Sequence, residues 1–415
     1  MKNNRTFLEK LLDGAEVEWK TLDEISSIYG GLTGKGKADF ENGNALYVPY
    51  KNIFNNIEVD FNNLETLNVS DDEKQYTIKY GDVLFTGSSE TAEEAGMSSA
   101  VTTKTEQKIY LNSFSFGLRF NDDVELLPEF SKFLFRTLSI RKEIVKSASG
   151  VTRFNISKAR FKKIKIPIPP LPVQTEIVKI LDALTALTSE LTSELTLRRK
   201  QYEYYRETLL LPDNLEQLNT EGAKKKLSDV VNIYLGLTYT PTYVENGVKF
   251  ISAQNTSNDF LDLSNTKFIS REEFEKSTSN AKPKRGDILF TRVGSNLGHP
   301  VIVDTDEDLC IFVSLGFLRV KDKNILNSYI KHWMNTNLFW KQVEKNVHGS
   351  AKVNLNTGWL KNFEIYIPPL EEQHRIVSIL DKFETLTNNI TEGLPLAIEQ
   401  SQKRYEYYRE LLLSF

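Results

Sequence analysis

Apolar positions recur at steps of four and three along the middle of the chain. Ile177, Leu181, Leu184, Thr188, Leu191, Leu195, Arg198, Tyr202, Tyr205 and Leu209 follow that spacing without a miss, and eight of the ten are apolar. This is the strict heptad pattern of a coiled-coil seam. Pro169-Pro170 stands ahead of it, suited to a helix start and blocking upstream extension, and Pro212 closes it. At 1.5 Å per residue, Pro172 to Leu211 predicts a rod of roughly 60 Å.

The same text returns about 200 residues later. Pro169-Pro170-Leu171, Gln174, Ile177-Val178, Ile180-Leu181-Asp182 and Tyr202 to Glu207 (Tyr-Glu-Tyr-Tyr-Arg-Glu) answer to Pro368-Pro369-Leu370, Gln373, Ile376-Val377, Ile379-Leu380-Asp381 and Tyr405 to Glu410. A repeat of this length fixes the architecture before any local reading does. The second seam runs through Ile376, Leu380, Phe383, Thr387 and Ile390, then slips as the offset between copies changes from 199 to 203. Four inserted residues are a stutter, and Glu392-Gly393-Leu394-Pro395 sits on it, so a kink or break is expected there.

Landmarks outside the helices also occur twice. Ile28 to Thr33 matches Ile233 to Thr238, Tyr80 to Thr86 matches Arg285 to Thr291, and Gly150 to Ile156 matches Gly349 to Leu355. Between them the pattern mixes short strands bounded by turn residues with helical stretches such as Leu127 to Ile144 and Ile325 to Val347, without regular βαβ alternation. The expected fold is mixed α/β (α+β): two globules, 15–165 and 222–365, separated by two long antiparallel coiled-coil helices, 166–211 and 366–415, with a linker at 212–221. Phe7 to Ala15 and Leu211 to Ala223 look like one linker cut by the termini. That implies circular pseudo-twofold symmetry, with residues 1–14 packing by the C-terminal helix.

The composition of the 415-residue chain is ordinary globular, 40% hydrophobic and 26% charged. The single cysteine, Cys310, permits no internal disulfide and fits a reducing cytoplasm. No apolar run approaches a membrane span and no signal peptide is expected, so the expectation is a cytoplasmic protein with no membrane partner. Net charge is −4, yet Arg141 to Lys165 carries nine basic residues against Glu143 alone. Such clustering suits phosphate contact. Lys341 to Ile365 carries only four basic and two acidic residues, so the globules differ electrostatically.

Catalytic motifs fail on inspection. Gly31 to Ala38 has P-loop spacing, but Ala38 stands where magnesium needs Ser or Thr, and no apolar helix start follows. Asp304 to Asp308 lacks the glycine and glutamate of a calcium loop. Glu18-Trp19-Lys20 has no partner aspartate on an upstream strand, and His299, His332, His348 and His374 have no zinc spacing. Neither Pro-Pro pair has the Asn or Asp and the aromatic residue that a methylating motif requires. No metal site or catalytic residue is expected.

Ile166 to Leu171, Gln174, Ile180 to Asp182 and Tyr202 to Arg206, duplicated around two dissimilar globules, resemble the specificity subunits of type I restriction–modification systems. Phe7 to Leu12 and Thr391 to Pro395 resemble that family too, and the resemblance covers essentially the whole chain. It implies that each globule is a target recognition domain reading one half of a split double-stranded DNA site, with the helices as the ruler. It implies two modification subunits bringing S-adenosylmethionine, and restriction subunits bringing ATP hydrolysis with magnesium. This chain would bind no cofactor and catalyse nothing itself, while directing adenine methylation and ATP-dependent cleavage.

Candidate DNA contacts are polar residues in loops near the landmarks, since Asn, Gln and Arg can bond base edges bidentately. They are Lys35, Lys37, Asn52, Ser88, Arg153, Asn155, Lys158 and Arg160 in the first globule. In the second they are Tyr239, Gln254, Asn255, Arg292, Asn296, Lys352 and Asn354. Asn155 and Asn354 occur in both halves and suit a structural or backbone-contacting role better. The seam is expected at Ile177, Leu181, Leu184, Leu191, Leu195, Tyr202 and Tyr205 against Ile376, Leu380, Phe383, Ile390, Tyr405 and Tyr408. Two other readings are a protein-binding scaffold without DNA specificity, and a self-contained nuclease or methyltransferase.

Overall fold

The structure, a computed structural model, describes residues 7–415 apart from 42, 71, 218–221, 279–281, 295, 347–353 and 390, and apart from the side chains of 216 and 217. Lys352, Ile390 and most of the second 349–355 landmark therefore lie outside the described residues, as does the end of the 212–221 linker. The chain divides into two compact units, residues up to Glu190 with Glu399–Phe415, and Leu191–Ile398.

In the first unit the chain enters on Glu18–Thr21 and leaves on Lys165–Ile168, and these strands pair antiparallel. Between them lies a four-stranded antiparallel sheet in the order Ser26–Gly30, Ser115–Phe120, Val83–Thr86, Ser98–Ala100. A smaller sheet orders Glu65–Leu67, Ala45–Val48 and Ile109–Leu111, the last two parallel. The second unit repeats this plan. Ala223–Lys226 pairs with Glu364–Ile367. Its four-stranded sheet runs Val231–Leu235, Leu315–Val320, Ile288–Thr291, Pro300–Ile302. Val248–Ile251 lies parallel to Leu309–Ile311, where Cys310 is fully buried.

The duplicated Gly-Asp landmark has a physical cause. Gly81 and Gly286 both turn the chain at φ +89°, a region an L side chain rarely adopts. The aspartate that follows is buried and accepts two bonds from an arginine on the neighbouring strand of the sheet. Asp82 binds Arg119 Nε at 2.8 Å and Nη2 at 2.6 Å, and Asp287 binds Arg319 at 2.9 and 2.6 Å. Each also caps its own turn, accepting from Lys79 N or Lys284 N. A bidentate pair of this kind satisfies a charge that burial alone would penalise.

The single helix expected over Leu127 to Ile144 is two, Pro128–Leu134 and Leu138–Ser147. The stretch from Ile325 likewise gives Asn327–Met334 and Asn337–Asn346. Threonine is the reason in both units. The Thr137 and Thr336 hydroxyls bond back to Leu134 O and Trp333 O, offering the backbone a partner outside the helical ladder.

The first long helix runs unbroken over Leu171–Leu209, directly after the Pro-Pro pair. The second is two helices, Leu370–Asn388 and Gly393–Leu412. Gly393 lies at φ +81°, and a Cβ there would come within 2.5 Å of Thr385 O. Only glycine turns the chain this close to the preceding helix.

In the first unit Ile177 and Leu181 are fully buried in one core with Leu412 and Leu413, with Leu184 and Tyr405 packed on it. Thr188 meets Ser401 at 2.8 Å. Rising numbers on one helix meet falling numbers on the other, so the segments are antiparallel. In the second unit Tyr202 and Tyr205 stack on Phe383 with centroids 6.2 and 5.5 Å away, above Ile376 and Leu380, and Arg199 reaches Thr387 O. These segments are antiparallel as well. Leu191 and Leu195 are partly buried, as seam positions should be. Tyr408 is 36% exposed, much as Tyr205 is at 37%, and each leans edge-on against the preceding tyrosine; what Tyr408 lacks is the stack on a phenylalanine, since Leu184 stands where the second unit has Phe383. Leu8 is buried, and Leu11 and Leu12 pack on the core that holds Leu412.

A buried glutamine fastens each helix start to its own globule. Gln174 Oε1 accepts from Leu127 N at 2.9 Å, while its Nε2 donates to Glu125 O at 2.8 Å and Pro169 O at 2.7 Å. Gln373 does the same with Leu326 N, Asn324 O and Pro368 O. Removing such a group strands its buried partners at about 1–3 kcal/mol. Gln174→Ala is expected to lower stability by that amount or somewhat more, read as a shifted denaturation midpoint at unchanged slope; an unshifted midpoint would show the staple to be dispensable.

Candidate nucleic-acid interface

In the first globule, three short strands form a separate sheet beside the main one: Ala148–Ser149, Phe154–Ile156 and Ser88–Ser89. Asn155 faces Ser88 in register, and Ile156 N donates to Gly87 O at 3.0 Å. The hairpin tip, Gly150 to Arg153, is thus held to the strand that follows the Gly-Asp landmark. Arg153, Asn155, Lys158 and Arg160 are all exposed here. The Arg153 guanidinium lies 5.9 Å from the Phe114 ring centroid, and Lys158 Nζ the same distance from that of Phe116. The second globule keeps the backbone plan, with Val293 bridging Asn354 and Leu355 N donating to Arg292 O at 2.9 Å.

The nine-residue basic run is not one face. Arg141 is spent internally, donating to the carbonyls of Glu93, Ala95 and Gly96, and burial pushes its pKa down to about 10. Lys146 pairs with Glu143 at 2.6 Å and Lys162 with Asp23 at 2.9 Å. Lys142, Arg153, Lys158, Arg160, Lys163 and Lys165 are exposed and make no ion pair among the described residues. Exposed cations without an ion-pair partner gain by meeting phosphate.

A domain model described as "Type I restriction modification DNA specificity domain" matches residues 15–197 and again 219–400. The chain belongs to this family. A Haemophilus influenzae protein described as a type I restriction enzyme specificity subunit is 39% identical over the full length of both chains. The type I restriction enzyme EcoR124I/EcoR124II specificity subunit of Escherichia coli is 32% identical over 99% of this chain and 97% of its own. Among solved structures, the S subunit from M. genitalium aligns with a TM-score of 0.51 over 96% of this chain and 97% of its own, at 15% identity. The HsdS subunit from Thermoanaerobacter tengcongensis gives 0.52 over 97% and 96%, at 17% identity. These two likenesses show the fold.

Several residues expected to contact DNA in this specificity-family chain are committed elsewhere. Asn52 is buried, donating to Asp60 O and Asn63 O and accepting from Asp60 N. Asn255 repeats that role, donating to Asp262 O and Asn265 O and accepting from Ser252 N. Both close a loop and are structural. Lys35 is nearly covered and held 2.5 Å from Glu73. With the Ser70 amide, it draws the Glu73 carboxyl down to about 2. What that contact adds to stability is present above the ordinary carboxylate range and lost as pH falls toward 2.

Ser88 is buried in its strand, and its carbonyl accepts from the Tyr50 hydroxyl at 2.8 Å. The Tyr239 hydroxyl is tied to Glu273 and Ser277. Arg292 is partly buried, reaching Val313 O at 3.4 Å. Lys37, Gln254, Asn296 and Asn354 are exposed, and their side chains make no hydrogen bond among the described residues, with Lys37 in a single 3-10 turn, Lys37–Phe40, that offers no α-helix terminus for a phosphate.

Among the described residues one group of metal-capable side chains comes together, His332, Asp381 and Glu384. The His332 ring binds Asp381 at 2.7 Å and faces the Tyr202 hydroxyl, while Lys331 neutralises Glu384 at 2.5 Å. With a lysine already in place, the cluster serves as a polar contact between helices. What sequence reasoning missed is Phe114, 60% exposed beside Arg153. An isolated phenylalanine gives no sign of lying outside the core.

Replacing Lys158 and Arg160 together by glutamine should weaken DNA binding about equally for all sequences. The slope of log affinity against log salt should fall by up to ~0.9 per lost phosphate contact. An unchanged slope in a salt titration would place the phosphate contacts elsewhere.

Proposed function

We propose that this chain is the DNA-recognition subunit of a type I restriction–modification complex, each globule reading one half of a bipartite double-stranded target. The observation that carries the reading is the full-length duplication. Two globules share one backbone plan, are fastened by the same glutamine to the same helix text, and differ in the side chains their loops expose. Common framework with divergent loops is what independent readout of two half-sites requires. The relatives matched over their full length are described as specificity subunits, which supports the same reading.

Catalysis then belongs to the partners. Two modification subunits would dock on the helices, bringing S-adenosylmethionine and the adenine-methylating site. Restriction subunits would bring ATP hydrolysis, magnesium and cleavage. The acidic net charge fits such sharing, since partner subunits can take part of the grip on the backbone. No described helix is long and apolar enough to cross a membrane, and the site of action we assign is the cytoplasm, where the DNA is.

Independent readout is tested by exchange. Replacing residues 15–165 with the corresponding globule of a relative should change one half of the methylated motif and leave the other intact, read by mapping methylated adenines genome-wide. A chimera that assembles yet methylates the original sequence would refute the assignment.

The helices are tested by length. Four residues inserted near Thr192 add about 6 Å. The half-sites should stay the same while the spacer between them grows, as the same methylation map reports. An unchanged spacer would deny the helix its role as ruler.

A further inference from the structure

Phe114 is out of place by ordinary rules. It sits in the turn between Ile109–Leu111 and Ser115–Phe120, 60% exposed, with the unpaired Arg153 beside it. Phe116, two residues on in the strand, is 2% exposed, whereas Phe114 is left outside the core.

The backbone beneath Phe114 is held on both sides. Its N–H donates to Asn112 Oδ1 at 3.0 Å, and its carbonyl accepts from Gly87 N at 2.7 Å. Asn112 is itself buried, with Nδ2 on Val48 O at 3.0 Å and Oδ1 also accepting from the Ser115 hydroxyl. A Cβ at Gly87 would stand 2.7 Å from the Phe114 carbonyl, so glycine permits this approach. Gly87 O in turn binds Ile156 N, placing Phe114 against the hairpin that bears Arg153 and Asn155. A ring presented from a fixed backbone, beside a guanidinium, suits recognition.

The surroundings suit a base better than a phosphate. Arg153 stands beside the ring, and the exposed Glu90 and Glu94 lie near Tyr50 as Arg153 does. A bare phosphate groove would exclude those carboxylates, whereas base edges offer donors, acceptors and apolar methyls together. In the second globule the same backbone bond, Arg292 N to Ser314 O at 2.8 Å, holds a serine at this place. The aromatic ring is thus particular to the first globule, as a residue that distinguishes two half-sites should be.

We propose that Phe114 is a specificity-determining residue that makes apolar contact with one base of the half-site read by the first globule. The proposal rests on the recognition function assigned above. Such contact has two forms, packing on a thymine methyl in the major groove or wedging between base steps.

The test uses the full chain assembled with its modification subunits. Binding of wild type, Phe114→Ala and Phe114→Leu is measured on duplexes substituted one position at a time. Phe114→Ala should bind the cognate duplex about tenfold or more weakly. It should lose discrimination at one position of one half-site and keep it throughout the other, with Phe114→Leu between. Thermal unfolding should be unchanged, since the ring is exposed. If the partner is a methyl group, deoxyuridine for thymidine at that position should weaken wild type and leave Phe114→Ala unaffected. If the ring is a wedge, 2-aminopurine at that step should brighten with wild type and stay dark with Phe114→Ala.

Wild-type discrimination at every position in Phe114→Ala would overturn the proposal, as would equal weakening on all sequences. A wild-type complex with no sequence preference would remove the recognition function itself, and Phe114's role with it.

Discussion

Two side-chain amides hold this structure to its purpose. Gln174 and Gln373 are fully enclosed, and each satisfies one backbone donor and two carbonyls that would otherwise be buried without partners. A glutamine has a donor and an acceptor at the end of one planar group, so three bonds of this geometry fix its orientation as well as its position. A helix fastened this way has a defined rotation relative to the globule it leaves. Without that, recognition loops would sit on a rigid fold yet have no fixed bearing on the helical frame.

The other end of each repeat carries a second anchor. Glu410 accepts from Leu138 N at 2.9 Å in the first unit, and Glu207 accepts from Asn337 N at 3.0 Å in the second. Both bonds fall on the first residue of a helix, where unpaired N–H groups and the helix dipole favour a carboxylate. Each copy of the repeat thus serves one globule with its glutamine and the other with its glutamate. The identical text at 199 and 203 residues' offset persists because both globules need both anchors. Between them the chain tolerates the break at Gly393.

The seam and the landmarks were legible because they depend on spacing and on local geometry. A heptad survives any neighbour, and Gly-Asp declares a turn wherever it stands. The internal partners of Asn52, Asn255 and Lys35 were not legible, for the opposite reason. Their partners lie 3 to 38 residues away, and nothing in a polar loop residue reveals whether its hydrogen bonds are already taken. Arg141 belongs with them, since a charge run on paper includes members whose heads turn inward.

The division of the chain at Glu190 and Glu399 also bears on how the protein is made. The core around Ile177 and Leu181 is completed by Leu412 and Leu413, and the helix at Leu138 receives its carboxylate from Glu410. During synthesis the first unit therefore waits, with that apolar surface open, while more than 200 further residues leave the ribosome. The second unit is continuous in sequence and can close first. The unit begun first is finished last, and the interval between is when the nascent chain most needs a chaperone.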